Sequence, residues 1–329
     1  MTSLKEVTWT KLSVLRDSDP KTFCTPTSVP RLARNETYAN DIINAWKADV
    51  SSTSSTRNSF HTLGSPFPYK GADDTEYAGY LVIPSTVDVN NISEKLPVIV
   101  LFHTGAGPQD IFNRFQADKI AREKCWGSKG CIIFIADILS DSTGWAWADR
   151  DRYWQLKRSL NEVSNQDGKT CRWKMRNRLS AVLNAVKSID AADTNNIAAW
   201  GFCLGGQPVL ELARMECDGV KGLITFHGMF NGAFSGDKES ATNSDTKRPV
   251  LICNGQGDPW VAASDLDLAK ESFENCGWSC RILNFENVVH NFSNPRTEYD
   301  EDEGFGYDEN ASIESWKSAL ELLNDIFEL

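Results

Sequence analysis

At 329 residues the chain is long for one domain but fits a single large α/β unit with an extension, and 41% hydrophobic content supplies a sizeable core. A net charge of −11 argues against nucleic acid or an anionic membrane as partner, since either wants a basic patch. No apolar run is long enough to span a bilayer, and the N-terminus "MTSLKEVTWTKLSVLRDSDP" lacks the apolar stretch of a secretory signal.

In chain order, "NETYANDIINAWKADV" (35–50) has apolar residues at helical spacing, and the polar run "SSTSSTRNS" (51–59) reads as a linker or exposed loop. Residues 1–60 therefore read as an N-terminal extension and 61–329 as the main domain. From Tyr77 onward, short apolar runs alternate with amphipathic ones. The predicted strands are "YAGYLVIP" (77–84), "LPVIVLFH" (96–103), "GCIIFIAD" (130–137), "NIAAWGF" (196–202), "VKGLITFH" (220–227), "RPVLICN" (248–254) and "CRILNFE" (280–286). The predicted helices are residues 116–125, 173–189, 207–215, 265–276 and 311–327. Apolar strands separated by helices imply parallel crossovers, hence a doubly wound, mostly parallel sheet flanked by helices.

Such sheets place reactive side chains on loops at the carboxyl ends of strands. His103, Cys203, His227, Asp258 and His290 all fall there. The segment "GFCLGG" (201–206) has the form of a nucleophile elbow, with cysteine in place of serine and one extra glycine. A nucleophile on a strained turn needs neighbours without bulky side chains, and the helix that follows aims its N-terminus at developing negative charge. Alone, the motif is also compatible with a buried cysteine before a glycine-rich turn. Asp258 in "GQGDPWV" and His290 in "VVHNF" follow later strands, in the order nucleophile, acid, histidine. That order selects a Cys203–His290–Asp258 triad over a plain turn aspartate and a loop histidine.

"GFCLGG", "GQGDPWV", "VVHNFSNP" and "GYDENASIESWKSALELL" together resemble the dienelactone hydrolase family of the α/β-hydrolase fold, from about Glu76 to Leu329. The resemblance implies that Cys203 is the nucleophile, His290 the general base and Asp258 the group orienting it. The substrate is then a small ester or lactone, cleaved through a thioester acyl-enzyme without metal or cofactor. A general carboxylesterase or thioesterase uses the same machinery. A non-catalytic ligand-binding protein and a redox-responsive thiol are the other readings. The oxyanion donors are expected to be the backbone N–H of Leu204 and one from "HTGAG", Thr104 or Gly105. The chain departs from the family at Thr104, where members carry a glutamate that helps control the charge of the cysteine.

Weaker signals are the strand-end histidines His103 and His227, read as scaffold hydrogen-bonders first and substrate contacts second. In "GWAWADRDRYW" (144–154), Trp145 and Trp147 either wall the pocket or pack a surface loop, and Arg150 and Arg152 read as a solvated charge cluster. The acidic run "EYDEDEGFGYDE" (298–309) is expected to be a solvated loop near the site entrance, not a calcium loop. Nine cysteines without regular spacing point to reduced thiols in the cytoplasm. The oligomeric state is expected to be a monomer or small homo-oligomer. If residues 51–59 are a linker, limited proteolysis should cut there and leave a folded, active remainder. An insoluble truncated protein would show instead that the extension covers apolar surface.

Overall fold

The computed structural model describes residues 62–84, 95–108, 111–121, 130–139, 150–166, 169–234, 247–295, 297 and 303–327. The helix and linker predicted before residue 60 lie outside the described residues.

The strands are β1 (Thr62–Lys70), β2 (Glu76–Pro84), β3 (Leu96–Phe102), β4 (Ile132–Ala136), β5 (Ser164–Gln166), β6 (Lys169–Cys171), β7 (Ala192–Phe202), β8 (Val220–Phe226), β9 (Arg248–Gly255) and β10 (Trp278–Phe285). Eight of them form one sheet in the order β1-β2-β4-β3-β7-β8-β9-β10, and β5 and β6 make a small antiparallel pair. The β1/β2 and β2/β4 pairs are antiparallel and the rest of the large sheet is parallel. Six helices are described: α1 (Ile111–Ala121), α2 (Arg150–Leu160), α3 (Trp173–Lys187), α4 (Gly206–Arg214), α5 (Ala263–Asn275) and α6 (Glu309–Phe327).

Side-chain alternation along the central strands divides the core in two. Val98, Val100 and Phe102 of β3 pack with α2, α3, α4 and α5 on one face. Ile99 and Leu101 pack with α1 and α6 on the other. Both faces are covered, so the strands read as continuous apolar runs.

Several elements differ from the sequence expectation: the β5/β6 pair is not among the predicted strands, α1 starts at Ile111 rather than at residue 116, and two further differences bear on the sheet and the site. The sheet starts at β1, whose Pro66, Pro68 and Gly64 hide a strand signal. Proline is tolerated there because, among the described residues, β1 pairs only with β2 and leaves its other edge unpaired. Residues 150–160 form α2, so the segment read as an aromatic loop with solvated arginines is in part a helix. Its buried stripe is Tyr153, Lys157 and Leu160, and a lysine at the centre breaks the apolar pattern.

The helix that follows the elbow is anchored by charge. Glu211 of α4 is buried and accepts from Arg172 (3.0 Å), Arg176 and Arg214 (3.2 Å). This ties α4 to the start of α3. Burial pushes the Glu211 carboxyl up, but Arg214, Arg172 and Arg176 outweigh it and hold it below the usual glutamate range. A depressed folded value contributes stability at neutral pH that is lost as the pH falls through it. Glu211→Ala leaves buried guanidinium groups without their anion. We expect a loss of about 3–5 kcal/mol in urea unfolding at pH 7, and a smaller loss at acid pH.

Candidate active site

β7 delivers the chain to Phe202, and Cys203 then takes a left-handed conformation, φ 53°. That is rare for a residue with a side chain and marks stored strain. Residues Cys203–Gly205 make one 3₁₀ turn and α4 begins at Gly206. The flanking glycines are required by contact. A Cβ on Gly201 would lie 2.2 Å from the Gly205 carbonyl oxygen, and one on Gly205 would lie 2.5 Å from that of Phe102. The Met229 N–H donates to the Cys203 carbonyl at 2.8 Å and holds the turn against the end of β8. The Met229 sulfur sits 3.6 Å from the Cys203 sulfur. The thiol-bearing residue is 7% exposed.

Asp258 follows β9. Its Oδ1 accepts from the Trp260 N–H at 2.8 Å, and its Oδ2 lies 2.7 Å from His290 Nδ1. That leaves His290 Nε2 for the thiol, to which the ring is hydrogen-bonded. The His290 backbone is clamped on both sides: its N–H donates to the Gly304 carbonyl (2.9 Å), and its own carbonyl accepts from Gly306 (3.0 Å). Residues 303–306 of the acidic run are therefore the brace of the histidine. The Phe305 ring meets the imidazole edge-on at 5.2 Å.

The electrostatics follow from these contacts. Burial works to raise the Cys203 thiol, but His290 and the N–H groups of Gly105 and Leu204 hold it below its ordinary value. Burial works to lower His290, yet Asp258 and Cys203 push it up to about 10. Both shifts favour a thiolate–imidazolium pair over a neutral thiol beside a neutral ring.

Of the expected oxyanion donors, Gly105 and Leu204 both direct N–H groups at the sulfur. Thr104 has other tasks: its carbonyl accepts from Gly107 N–H (3.1 Å) and its hydroxyl from Ala106 N–H (3.2 Å). His103 is fully buried, with Nδ1 donating to the Thr104 carbonyl (2.6 Å) and Nε2 accepting from Ile138 N–H (3.2 Å). Both of its nitrogens serve backbone, a scaffold role. His227 lies behind His290, with ring centroids 5.0 Å apart, and its Nε2 meets Ser293 Oγ at 2.9 Å. Burial and the neighbouring His290 hold His227 well below the usual histidine range, so it stays neutral. Trp145 and Trp147 lie outside the described residues.

Sequence reasoning missed the aromatic wall that is present. Trp260 lies 6.4 Å from the His290 ring and stacks on Trp154 of α2, with centroids 6.2 Å apart. Trp260 stands two residues after Asp258, and that proximity was the available signal. Met229 carried none. Among the described residues, no group of three or more His, Cys, Asp or Glu side chains is placed to hold a metal ion.

Removing the Asp258 charge tests this electrostatic arrangement. In Asp258→Asn the His290 pKa should fall from about 10 toward the ordinary histidine range, read from imidazole NMR shifts against pH. An unchanged value would mean that the carboxylate does not set the charge of the ring.

A model of the Dienelactone hydrolase family matches residues 78–327. An uncharacterized protein of Caenorhabditis elegans is 30% identical over 154 residues, which cover 47% of this chain and 95% of the relative. Among solved structures, a dienelactone hydrolase-like promiscuous phosphotriesterase from metagenomic libraries superposes with a TM-score of 0.64 at 23% identity, over 80% of this chain and 98% of its own. A puromycin hydrolase superposes with a TM-score of 0.53 at 15% identity, over 82% of this chain and 40% of its own. At these identities the structural likenesses speak to the fold alone, which is that of the α/β-hydrolases. With the family match spanning β2 to the end of α6, the chain belongs to the dienelactone hydrolase family.

Proposed function

We propose that the protein hydrolyses small carboxylic esters or lactones with Cys203 as nucleophile, His290 as acid and base, and Asp258 as the group that orients and charges His290. The observation that carries this reading is the buried, hydrogen-bonded Cys203–His290–Asp258 series with a depressed thiol and a raised imidazole.

The chemistry follows in two halves. The Cys203 thiolate attacks the carbonyl carbon, and the oxygen that becomes negative is held by the N–H groups of Gly105 and Leu204. The tetrahedral adduct collapses as the C–O bond breaks, and His290 gives its Nε2 proton to the leaving alkoxide. In a lactone the freed hydroxyl remains on the acyl group. Water then attacks the thioester while His290 takes its proton, and the C–S bond breaks to return the electron pair to sulfur.

Thr104 shapes the resting state. At the place of the family's glutamate there is a hydroxyl occupied by Ala106, so no carboxylate there opposes the thiolate. We place the enzyme in a reducing compartment, the cytoplasm. The seven described cysteines are free thiols, in keeping with that reading. Among the described residues, no helix is long and apolar enough to cross a membrane.

The test is a panel of activated esters and lactones on wild type, Cys203→Ala and His290→Ala. Each variant should lose at least about 10³-fold in kcat. Wild-type kcat/KM should rise as the thiol deprotonates on the acid side and fall as pH passes about 10, where His290 loses the proton it delivers. Full activity in Cys203→Ala overturns the mechanism.

A further inference from the structure

The adduct formed at Cys203 has four arms, and the contacts around the sulfur dispose of three. One arm is the sulfur. The oxygen that becomes negative turns to the N–H groups of Gly105 and Leu204, and the leaving oxygen turns to His290, which supplies its proton. The fourth arm is the carbon chain of the acyl group. Met229 touches the same sulfur, with Sδ 3.6 Å from Sγ. Atoms in contact with one sulfur take different directions around it, so Met229 stands on a side that the oxyanion and the leaving group do not use. The first carbon of the acyl chain is two bonds from Sγ, within reach of an atom in contact with that sulfur.

The Met229 main chain has no room to withdraw. Its N–H donates to the Cys203 carbonyl at 2.8 Å. A Cβ on Gly206 would lie 2.9 Å from Gly228 Cα and from Met229 N, so this segment rests directly on the first turn of α4. Next in the chain, Phe230 is buried edge-to-face against Phe273 of α5, and the Asn231 carbonyl accepts from Gln207 Nε2 at 2.9 Å. The side chain of Met229 is buried as well, at 1% exposed, but it is not fixed in the same way. Methionine is unbranched, with three rotatable bonds and a polarisable sulfur, and it reshapes itself around what it touches. A fixed anchor therefore carries an adjustable wall. A thioether has no proton to offer a thiolate, so its contact with Sγ serves shape and not charge.

We propose that Met229 is the wall of the acyl subsite and narrows the substrate class to esters of short carboxylic acids, with the alcohol side free of this restriction. The inference rests on the reading of Cys203 as nucleophile. An acetyl group displaces the thioether least. A longer acyl chain has to push it aside in the tetrahedral adduct and again in the thioester, because both keep the chain on Sγ. The alcohol departs on the His290 side before the thioester exists. For a lactone the limit falls on substituents at the carbon next to the carbonyl.

The experiment compares two ester series on wild type, Met229→Ala, Met229→Leu and Cys203→Ala. In the first, nitrophenol stays the leaving group and the acyl group grows from acetate through butyrate to hexanoate. In the second, the acyl group stays acetate and the alcohol grows. Wild-type kcat/KM should fall along the acyl series more steeply than along the alcohol series. A wild type that takes hexanoate as readily as acetate has no wall there, and that result overturns the proposal whether or not a variant folds. Met229→Ala should raise the hexanoate-to-acetate ratio of kcat/KM at least about tenfold and leave the order of the alcohol series as it was. Met229→Leu, of similar volume, should keep the wild-type order in both. An unchanged acyl ratio in Met229→Ala overturns the proposal. So does an alcohol series that shifts by the same factor, since Met229 would then only prop the elbow. A Met229→Leu that opens the acyl series as Met229→Ala does also overturns it, because size would not be what decides. The Cys203→Ala arm separates the two ideas. Acetate hydrolysis that survives in Cys203→Ala removes the nucleophile itself. Hydrolysis that depends on Cys203 while the acyl ratio stays unmoved in Met229→Ala removes only the role of Met229.

Discussion

The 2.7 Å contact between Asp258 Oδ2 and His290 Nδ1 sets the charge of the groups around it. A buried imidazole left to itself would be neutral, and a buried thiol would keep its proton. With the carboxylate fixed on one side, the His290 pKa is pushed up to about 10 and that of the thiol is held below its ordinary value. His227 is neutral through its burial first, and a second cation 5.0 Å from the first ring is disfavoured as well. Burial and this one contact together shift three neighbouring groups in mutually consistent directions.

The rest of the molecule keeps that contact aligned. Asp258 is fixed by its own turn through Trp260 N–H, and His290 by backbone bonds to Gly304 and Gly306. Cys203 is fixed by a strained turn that admits no side chain at Gly201 or Gly205. A left-handed cysteine persists only where its surroundings over-determine it. Here these are the ends of β3 and β8, together with a helix anchored through Glu211 to three arginines.

Buried charge recurs in this protein, and the structure handles it in two ways. Glu211 is compensated permanently, by guanidinium groups in hydrogen-bond contact. Lys157 has a neutral hydrogen-bond partner in Asn231 and the aromatic face of Trp154, and no carboxylate pairs with it among the described residues. The first arrangement is a support. The second leaves the ammonium to its burial, which lowers its pKa to about 8.

The sequence by itself determined the class of fold, the seven apolar strands from β2 onward, the elbow and the order of its partners. Strand cores declare themselves through continuous apolar runs, and "GFCLGG" declares its turn because close backbone contact admits only glycine at all three of its glycine positions. It did not reveal β1, since prolines suppress a strand signal wherever the partner strand is unknown. It did not reveal α2 as a site element, since a lysine replaces the apolar residue that helical periodicity would show. The brace formed by residues 303–306 was hidden in an acidic run whose composition speaks only of solvent. The pairing of Trp154 with Trp260 and the place of Met229 against the sulfur arise between segments far apart in the chain. Local sequence fixes backbone conformation and which face is apolar. Which buried charge meets which partner is decided by long-range packing, so the proton positions at this site belong to the tertiary structure alone.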